Sequence, residues 1–106
     1  MTTLVLESDP TIISIEILHN RLVVQLQDER QLVIPLDWYP RLLHATVKER
    51  QNWQLLGDGY AIHWPELDEY IGVEGLLAGR RSGESEKSFK RWLEIRSTQY
   101  ATGPIP

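Results

Sequence analysis

The chain has no cysteine among its 106 residues, only one methionine and one phenylalanine, and no long apolar run. The first absence excludes thiolate catalysis, cysteine-ligated zinc and disulfide staples. Small domains outside the cell often need such staples, so the expectation is a reducing compartment. A membrane span needs roughly 18 consecutive apolar residues, and none is present. Met1 to Glu7 lacks the basic start and long apolar core of an export signal, which makes a cytoplasmic protein the default reading. What remains is 42% hydrophobic and 25% charged, with four tryptophans. That composition suits one small globular domain, which at this size buries about two-thirds of its extended surface.

The net charge of −4 argues against a dedicated DNA binder, whose phosphate contacts require clustered lysine and arginine. Its distribution is uneven. Residues 1–79 hold five basic and twelve acidic side chains, and residues 80–106 hold six basic and three acidic. Asp58, Glu66, Asp68, Glu69 and Glu74 fall in a stretch with no lysine or arginine. An acidic segment is thus followed by a basic one, either as two solvated faces or as an electrostatic contact surface.

Apolar residues alternate at Ile13, Ile15, Ile17, then Leu22, Val24, Leu26, then Leu32 and Ile34. Period two means strands with one buried face. A turn at His19-Asn20 pairs Ile17 with Leu22, Ile15 with Val24 and Ile13 with Leu26. A three-residue turn at Asp28-Glu29-Arg30 pairs Leu26 with Leu32 and Val24 with Ile34. Both registers put the same side chains on one face, so the sequence predicts a three-stranded antiparallel meander.

One amphipathic helix is expected next, entered through Asp37 as N-cap and Pro40 in the first turn and ending near Asn52. Trp38, Tyr39, Leu42, Leu43, Thr46 and Val47 form its apolar stripe, with Arg41, His44, Lys48 and Arg50 outside. Asp58-Gly59 then signals a hairpin in which Leu55 faces Ile62, Gln54 faces His63 and Trp53 faces Trp64. Pro65 ends its second strand. Val73 to Ala78 predicts a short helix between Gly72 and Gly79. Arg80 to Gly83 reads as a linker, and Glu84 to Arg96 as a last helix with acids at its start and Arg96 at its end. Its apolar set is Phe89, Trp92 and Leu93. Residues 102–106 read as an unstructured tail. The expected fold is therefore α+β: a small antiparallel sheet, made of the three-stranded meander plus a hairpin, with one or two packed helices and a C-terminal helix. The core domain is 1–79, and 80–106 adds linker, basic helix and tail.

No catalytic, cofactor or metal set stands out. His19 falls in a turn and His44 on an outer helix face. His63 lies near Glu66 and Asp68, but its register turns it from the apolar side, and no fixed metal-ligand spacing is present. There is no G-x-S-x-G elbow, and the glycines serve turns and helix ends rather than a phosphate loop. Asp68 and Glu69, adjacent on an expected loop, diverge and offer no controlled separation of proton affinities.

The strands Arg21 to Leu26 and Gln31 to Leu36, with Asn52-Trp53-Gln54-Leu55, Gly59 to Pro65 and Asp68 to Leu77, carry a resemblance. Together they resemble the bacterial domain-of-unknown-function family two-four-four-two, over about residues 12–79. The most specific part is I-H-W-P-x-L-D-E followed by V-E-G-L-L, with two departures. Tyr70 stands where relatives carry an acidic residue, and Gly72 replaces a serine, which weakens the cap of the short helix. The resemblance implies small prokaryotic proteins without an assigned activity, some encoded beside another small protein in an arrangement resembling a toxin–antitoxin pair. It implies no catalytic residue.

Two functional expectations follow. The leading one is a non-enzymatic protein-binding module, antitoxin-like in form, whose helix offers Phe89, Trp92 and Leu93 to another small protein or to a second copy of itself. That apolar stripe must otherwise dock on its own domain. The alternative is a nucleic-acid-binding autoregulator using Arg80, Arg81, Lys87, Lys90, Arg91 and Arg96.

Overall fold

The alternation along residues 12–35 produces a meander in the computed structural model, which describes residues 10–101. Strands β1 (Ile12–Leu18), β2 (Arg21–Leu26) and β3 (Gln31–Pro35) form one antiparallel sheet in the order β1-β2-β3. A second antiparallel sheet has the order β4-β5-β6, from Gln54–Leu56, Ala61–Trp64 and Glu69–Gly72. Among the described residues four α-helices accompany them: α1 (Pro40–Leu43), α2 (Val47–Gln51), α3 (Val73–Leu77) and α4 (Glu86–Ala101). The class is α+β, with a C-terminal helix. The tail expected to be unstructured, 102–106, lies outside the described residues.

The first hairpin turns at His19-Asn20, both with positive φ, and pairs Ile17 with Leu22 and Ile15 with Val24. At the far end the expected Ile13–Leu26 pair is replaced by Ile12–Leu26, with an irregularity before Ser14. The cause is a bond outside the ladder. The Ile12 amide donates to the Gly59 carbonyl at 2.7 Å, which draws Ile12 into the core and leaves Ile13 55% exposed across the bulge.

The β2–β3 register also differs, by two residues: Leu22 faces Ile34 and Val24 faces Leu32. The loop is Gln27-Asp28-Glu29, not 28–30. The Glu29 amide closes on the Leu26 carbonyl, Glu29 takes φ +77°, and the Leu26 amide reaches the Arg30 carbonyl. This is the three-residue loop built from a tight turn and a left-handed residue. Asp28 stabilises it by accepting from the Arg30 amide and guanidinium. A shift of two keeps every side chain on its face, so the core set survives the change.

The single helix expected from Asp37 to Asn52 is broken. Leu36–Trp38 make a 3₁₀ turn, Asp37 caps nothing, and α1 stops at Leu43. Thr46 then starts α2 with a capping box: its hydroxyl accepts from the Glu49 amide, and Glu49 returns to the Thr46 amide. A Thr-x-x-Glu pair satisfies two orphan donors at once and outcompetes continuation of the helix. Val47 consequently leaves the apolar stripe and is 66% exposed. Arg50 bridges the break by donating to the Leu42 and Leu43 carbonyls.

The second hairpin keeps the expected register, Leu55 opposite Ile62 and Gln54 opposite His63. Its loop is longer than Asp58-Gly59 alone, running from Gly57 to Tyr60 beyond the last pair, Leu56–Ala61. The hairpin is also not alone. Residues 69–72, where the sequence reading places Glu69 on a loop and Gly72 at a helix start, pair with β5 as a third strand, Trp64 opposite Glu69 and Ile62 opposite Ile71. Gly72 then opens α3 without a side-chain cap. Gly79 closes it with φ +74°, its amide on Leu76 and the Arg80 amide on Gly75.

One core joins the sheets: Ile12, Leu22, Val24, Leu26 and Ile34 belong to one buried cluster with Ile62, Trp64, Leu67 and Ile71, and Leu36, Leu42, Val73 and Leu76 are part of it. Trp64 is fully buried, and its indole nitrogen donates to the Arg50 carbonyl at 3.1 Å, so its polar atom enters the core satisfied. Trp38 and Trp53 are half-buried against the same cluster.

Candidate functional site

Helix α4 begins at Glu86, two residues later than expected, because Ser85 is its N-cap: the Ser85 hydroxyl accepts from the Ser88 amide. Glu84 is thereby freed from the helix and turns to Arg41. The Arg41 guanidinium donates through Nε and Nη2 to the Glu84 carboxylate at 2.6–3.0 Å, and through Nη1 to the Leu67 carbonyl at 2.8 Å. Ser88 adds a hydroxyl bond to Glu84 at 2.8 Å. One cation thus connects α1, the turn before β6 and the approach to α4.

Farther along the helix, five residues before its end at Ala101, the arrangement repeats. Arg96 grips Glu49 with two bonds of 2.9 and 3.0 Å. Between these ion pairs lies the Trp92 ring, with the Arg41 guanidinium 5.2 Å and the Arg96 guanidinium 4.5 Å from its centroid. Phe89 stacks on Trp92 at 5.7 Å and meets the His44 ring edge-on at 5.1 Å. Each cation is shared between a carboxylate and an aromatic face, which suits the planar arginine head. Trp92 packs partly buried against the core. The segment before the helix is tied down as well: the Ser82 amide reaches the Trp38 carbonyl, the Tyr39 hydroxyl reaches the Arg80 carbonyl, and Arg81 lies over Trp38 at 4.8 Å.

Phe89, Trp92 and Leu93 are therefore brought together on the inward, half-buried side of α4. The six basic residues are divided. Lys87, Lys90 and Arg91 occupy the exposed face at i, i+3, i+4 spacing, Arg80 and Arg81 sit in the connecting segment, and Arg96 turns inward to Glu49.

A cleft of about 310 Å³ opens beside Arg41, with Glu69, Asp68, Glu84 and Ser82 on its walls. Arg41 holds the Glu84 carboxyl below the usual carboxylate range, and Arg96 does the same for Glu49. Glu69 goes the other way, pushed up to about 7. Burial is the main cause; Arg41 opposes it, and Glu84 and Asp68 reinforce it. Burial and the neighbouring Glu69 also raise the Tyr39 phenol. Two carboxyls flanking one guanidinium are thus driven apart, so the cluster can hold or release a proton near neutral pH. Sequence reasoning places Glu69 on a loop and misses this. Only Ile71 marks Glu69–Gly72 as a strand, and Arg41 and Glu84 are 43 residues apart.

A second feature lies along β1. The two-residue hairpin closes on the Leu18–Arg21 pair, so by alternation the backbone groups of Ile17 and Ile15 point away from β2. No described strand pairs with β1 on that side. A groove of about 390 Å³ follows this edge, walled by Ile15, Ile17 and Leu18 on one side and Val47, Arg50 and Trp53 on the other. Among the described residues no group of three or more His, Asp or Glu side chains is placed to hold a metal ion.

Comparison with other proteins agrees with the fold and brings no activity. A family model described as "Protein of unknown function (DUF2442)" matches residues 12–82. A crystal structure of a protein of unknown function from Rhodospirillum rubrum superposes with a TM-score of 0.64 at 24% identity, over 73% of this chain and 95% of that one. A solution structure of an uncharacterised protein from Chromobacterium violaceum gives 0.59 at 24% identity, over 76% of this chain and 74% of that one. No curated protein matches the sequence.

Proposed function

The chain belongs to the DUF2442 family of proteins of unknown function, and on that premise we propose that it is a small protein-binding module rather than an enzyme. The observation that carries this reading is the β1–α2 groove, where a strand edge that no described strand pairs with runs beside apolar side chains, with Val47 66% and Leu18 47% exposed. The occupant that suits it is an extended segment of another small protein, apolar at alternate residues. Its backbone would continue the β1 ladder, and its side chains would pack on Ile15, Ile17 and Val47. An antitoxin-like role in a two-gene pair is the specific form of this reading.

The test is capture from the native host with the wild-type chain and with Val47→Asp. The substituted position is the exposed first residue of α2, so folding is undisturbed. A partner retained by the wild type and lost with V47D supports the proposal; equal retention, or none in either, overturns it. Phe89, Trp92 and Leu93 serve partner binding only when α4 leaves the domain.

A second reading rests on Lys87, Lys90 and Arg91, three exposed cations on one helix face. They suit contact with nucleic-acid phosphates, and such binding weakens steeply with salt. A mobility shift at low salt that disappears when all three become glutamine supports it. No shift with DNA of its own operon removes it.

A further inference from the structure

We propose that the strand taken up by the β1 edge is β1 of a second copy of this chain, paired antiparallel across a two-fold axis at Ile15, so that two three-stranded meanders join into one sheet. The inference rests on the reading of that edge as strand-accepting, and it names the strand.

The free stretch of edge has definite ends. At one end the Ile12 amide is taken by the Gly59 carbonyl at 2.7 Å, and at the other the chain leaves the strand through the His19-Asn20 turn. Between them runs Ile13-Ser14-Ile15-Glu16-Ile17-Leu18. The ladder with β2 is regular from Ser14 to Leu18, and the backbone groups of Ile15 and Ile17 point outward. Such an edge is a template for another strand, and β1 carries few guards against one: a single charge, Glu16, and the irregularity before Ser14.

A strand pairs best with its own copy when it reads alike in both directions. Ile13 to Ile17 nearly does: isoleucine, serine, isoleucine, glutamate, isoleucine. With the axis at Ile15, the outward amide and carbonyl of Ile15 meet those of Ile15 in the second copy, and Ile17 meets Ile13. Directly opposed residues share a face, so isoleucines face isoleucines while Ser14 lies opposite Glu16, a hydroxyl donor against a carboxylate.

Other registers fail for separate reasons. A shift of one residue sets outward backbone groups against groups already bonded to β2. A shift of two that puts the axis at Ser14 runs the pairing into Ile12, whose amide Gly59 holds. The opposite shift, with the axis at Glu16, restores the backbone match but sets two carboxylates directly against each other. Charge therefore selects Ile15.

The side chains agree with this choice. The two-fold axis stands perpendicular to the joined sheet, so the core faces of both copies lie on one side, and both α2 helices with them. Ile13 and Val47 are more than half exposed in the single chain. The second copy brings its Ile17 to Ile13 and lays its β1 along the groove that Val47 and Trp53 wall.

Because the chain has no cysteine, introduced ones report the register. Full chains carrying Ser14→Cys or Glu16→Cys, both at exposed positions, are mixed, one of them tagged, and oxidised. Opposed residues whose backbone groups turn away from each other come within disulfide range, so the mixed pair should form several-fold faster than either pure pair. In sedimentation from about 1 to about 300 µM, a range suited to a small interface, the wild type should pass from 12.3 kDa to twice that mass. Ile13→Lys should raise the midpoint about tenfold or more. A wild type that stays monomeric throughout overturns the proposal, whatever else covers the edge; a host protein that such a monomer captures and V47D loses leaves the earlier reading standing. Glu16→Cys chains that link fastest with themselves overturn it too, as does a dimer that links no faster through positions 14 and 16 than through Glu94→Cys on α4.

Discussion

The Ile12 amide meets the Gly59 carbonyl at 2.7 Å, and the same two residues approach so closely that a Cβ on Gly59 would lie 2.2 Å from the Ile12 carbonyl oxygen. Gly59 also has φ +102°, a conformation that side-chain-bearing residues rarely adopt. The contact joins the two sheets and determines which residue of β1 enters the core. Gly59→Ala should cost about 2–4 kcal/mol, because strain and a backbone clash act together. The urea midpoint reports it, and a loss below about 0.5 kcal/mol would mean that the sheets can move apart freely.

Glu69 makes stability depend on pH in a definite direction. Its folded proton affinity is raised, from 4.5 to about 7, so the native state binds more protons than the unfolded chain between those values. The associated stability is present below about pH 4.5 and is lost as pH rises through about 7. Partial exposure reduces the effect to about 1–2 kcal/mol. Urea titrations at pH 5.5 and pH 8 should show the wild type weakening by about that amount. Glu69→Gln should remove most of the difference, and equal slopes for the two chains would contradict it.

Glu49 and Glu84 impose the opposite dependence at lower pH. Their carboxyls are held below the ordinary value by Arg96 and Arg41, so their contribution is present above the unfolded value and is lost as pH falls through the lowered folded one. A double-mutant cycle on Glu49 and Arg96 should give a coupling of about 1 kcal/mol at pH 7, above the typical exposed pair because the geometry is bidentate. The coupling should fade toward pH 3. A value independent of pH would assign the effect to packing.

Trp92→Ala removes the ring that both guanidiniums share. The expected cost is about 2 kcal/mol, smaller than for a fully buried tryptophan because the side chain is only half-buried. Amide exchange along α4 should accelerate more than exchange in β2. Uniform acceleration would show that the helix and the sheets unfold as one unit.

Much of this fold is legible in the alternation of residues 12–35, because a period-two pattern determines which face is buried even when the pairing partner is wrong. The expected partner of Val24 is Ile34 and the actual one is Leu32, yet Val24 is fully buried in either case. The pattern is weaker where local chemistry decides. Thr46 and Glu49 spell a capping box inside an otherwise continuous helical stripe, and the cap prevails. The helical face of Phe89, Trp92 and Leu93 is also visible in the sequence, but its destination is not. That depends on Arg41–Glu84 and Glu49–Arg96, whose partners lie far apart in sequence and meet only through the fold of the strands between them.

Those two ion pairs join residues 43 and 47 positions apart, and in both the later partner belongs to the last quarter of the chain. A growing polypeptide folds from its N-terminal side first. If the part before α4 folds without it, the sheets and short helices would assemble while α4 is still within the exit channel. Each nascent molecule would then pass through a stage in which the bed for Trp92 is built but its own helix has not arrived. In that interval Arg41 and Glu49 would lack the carboxylate and guanidinium that α4 and its approach bring to them.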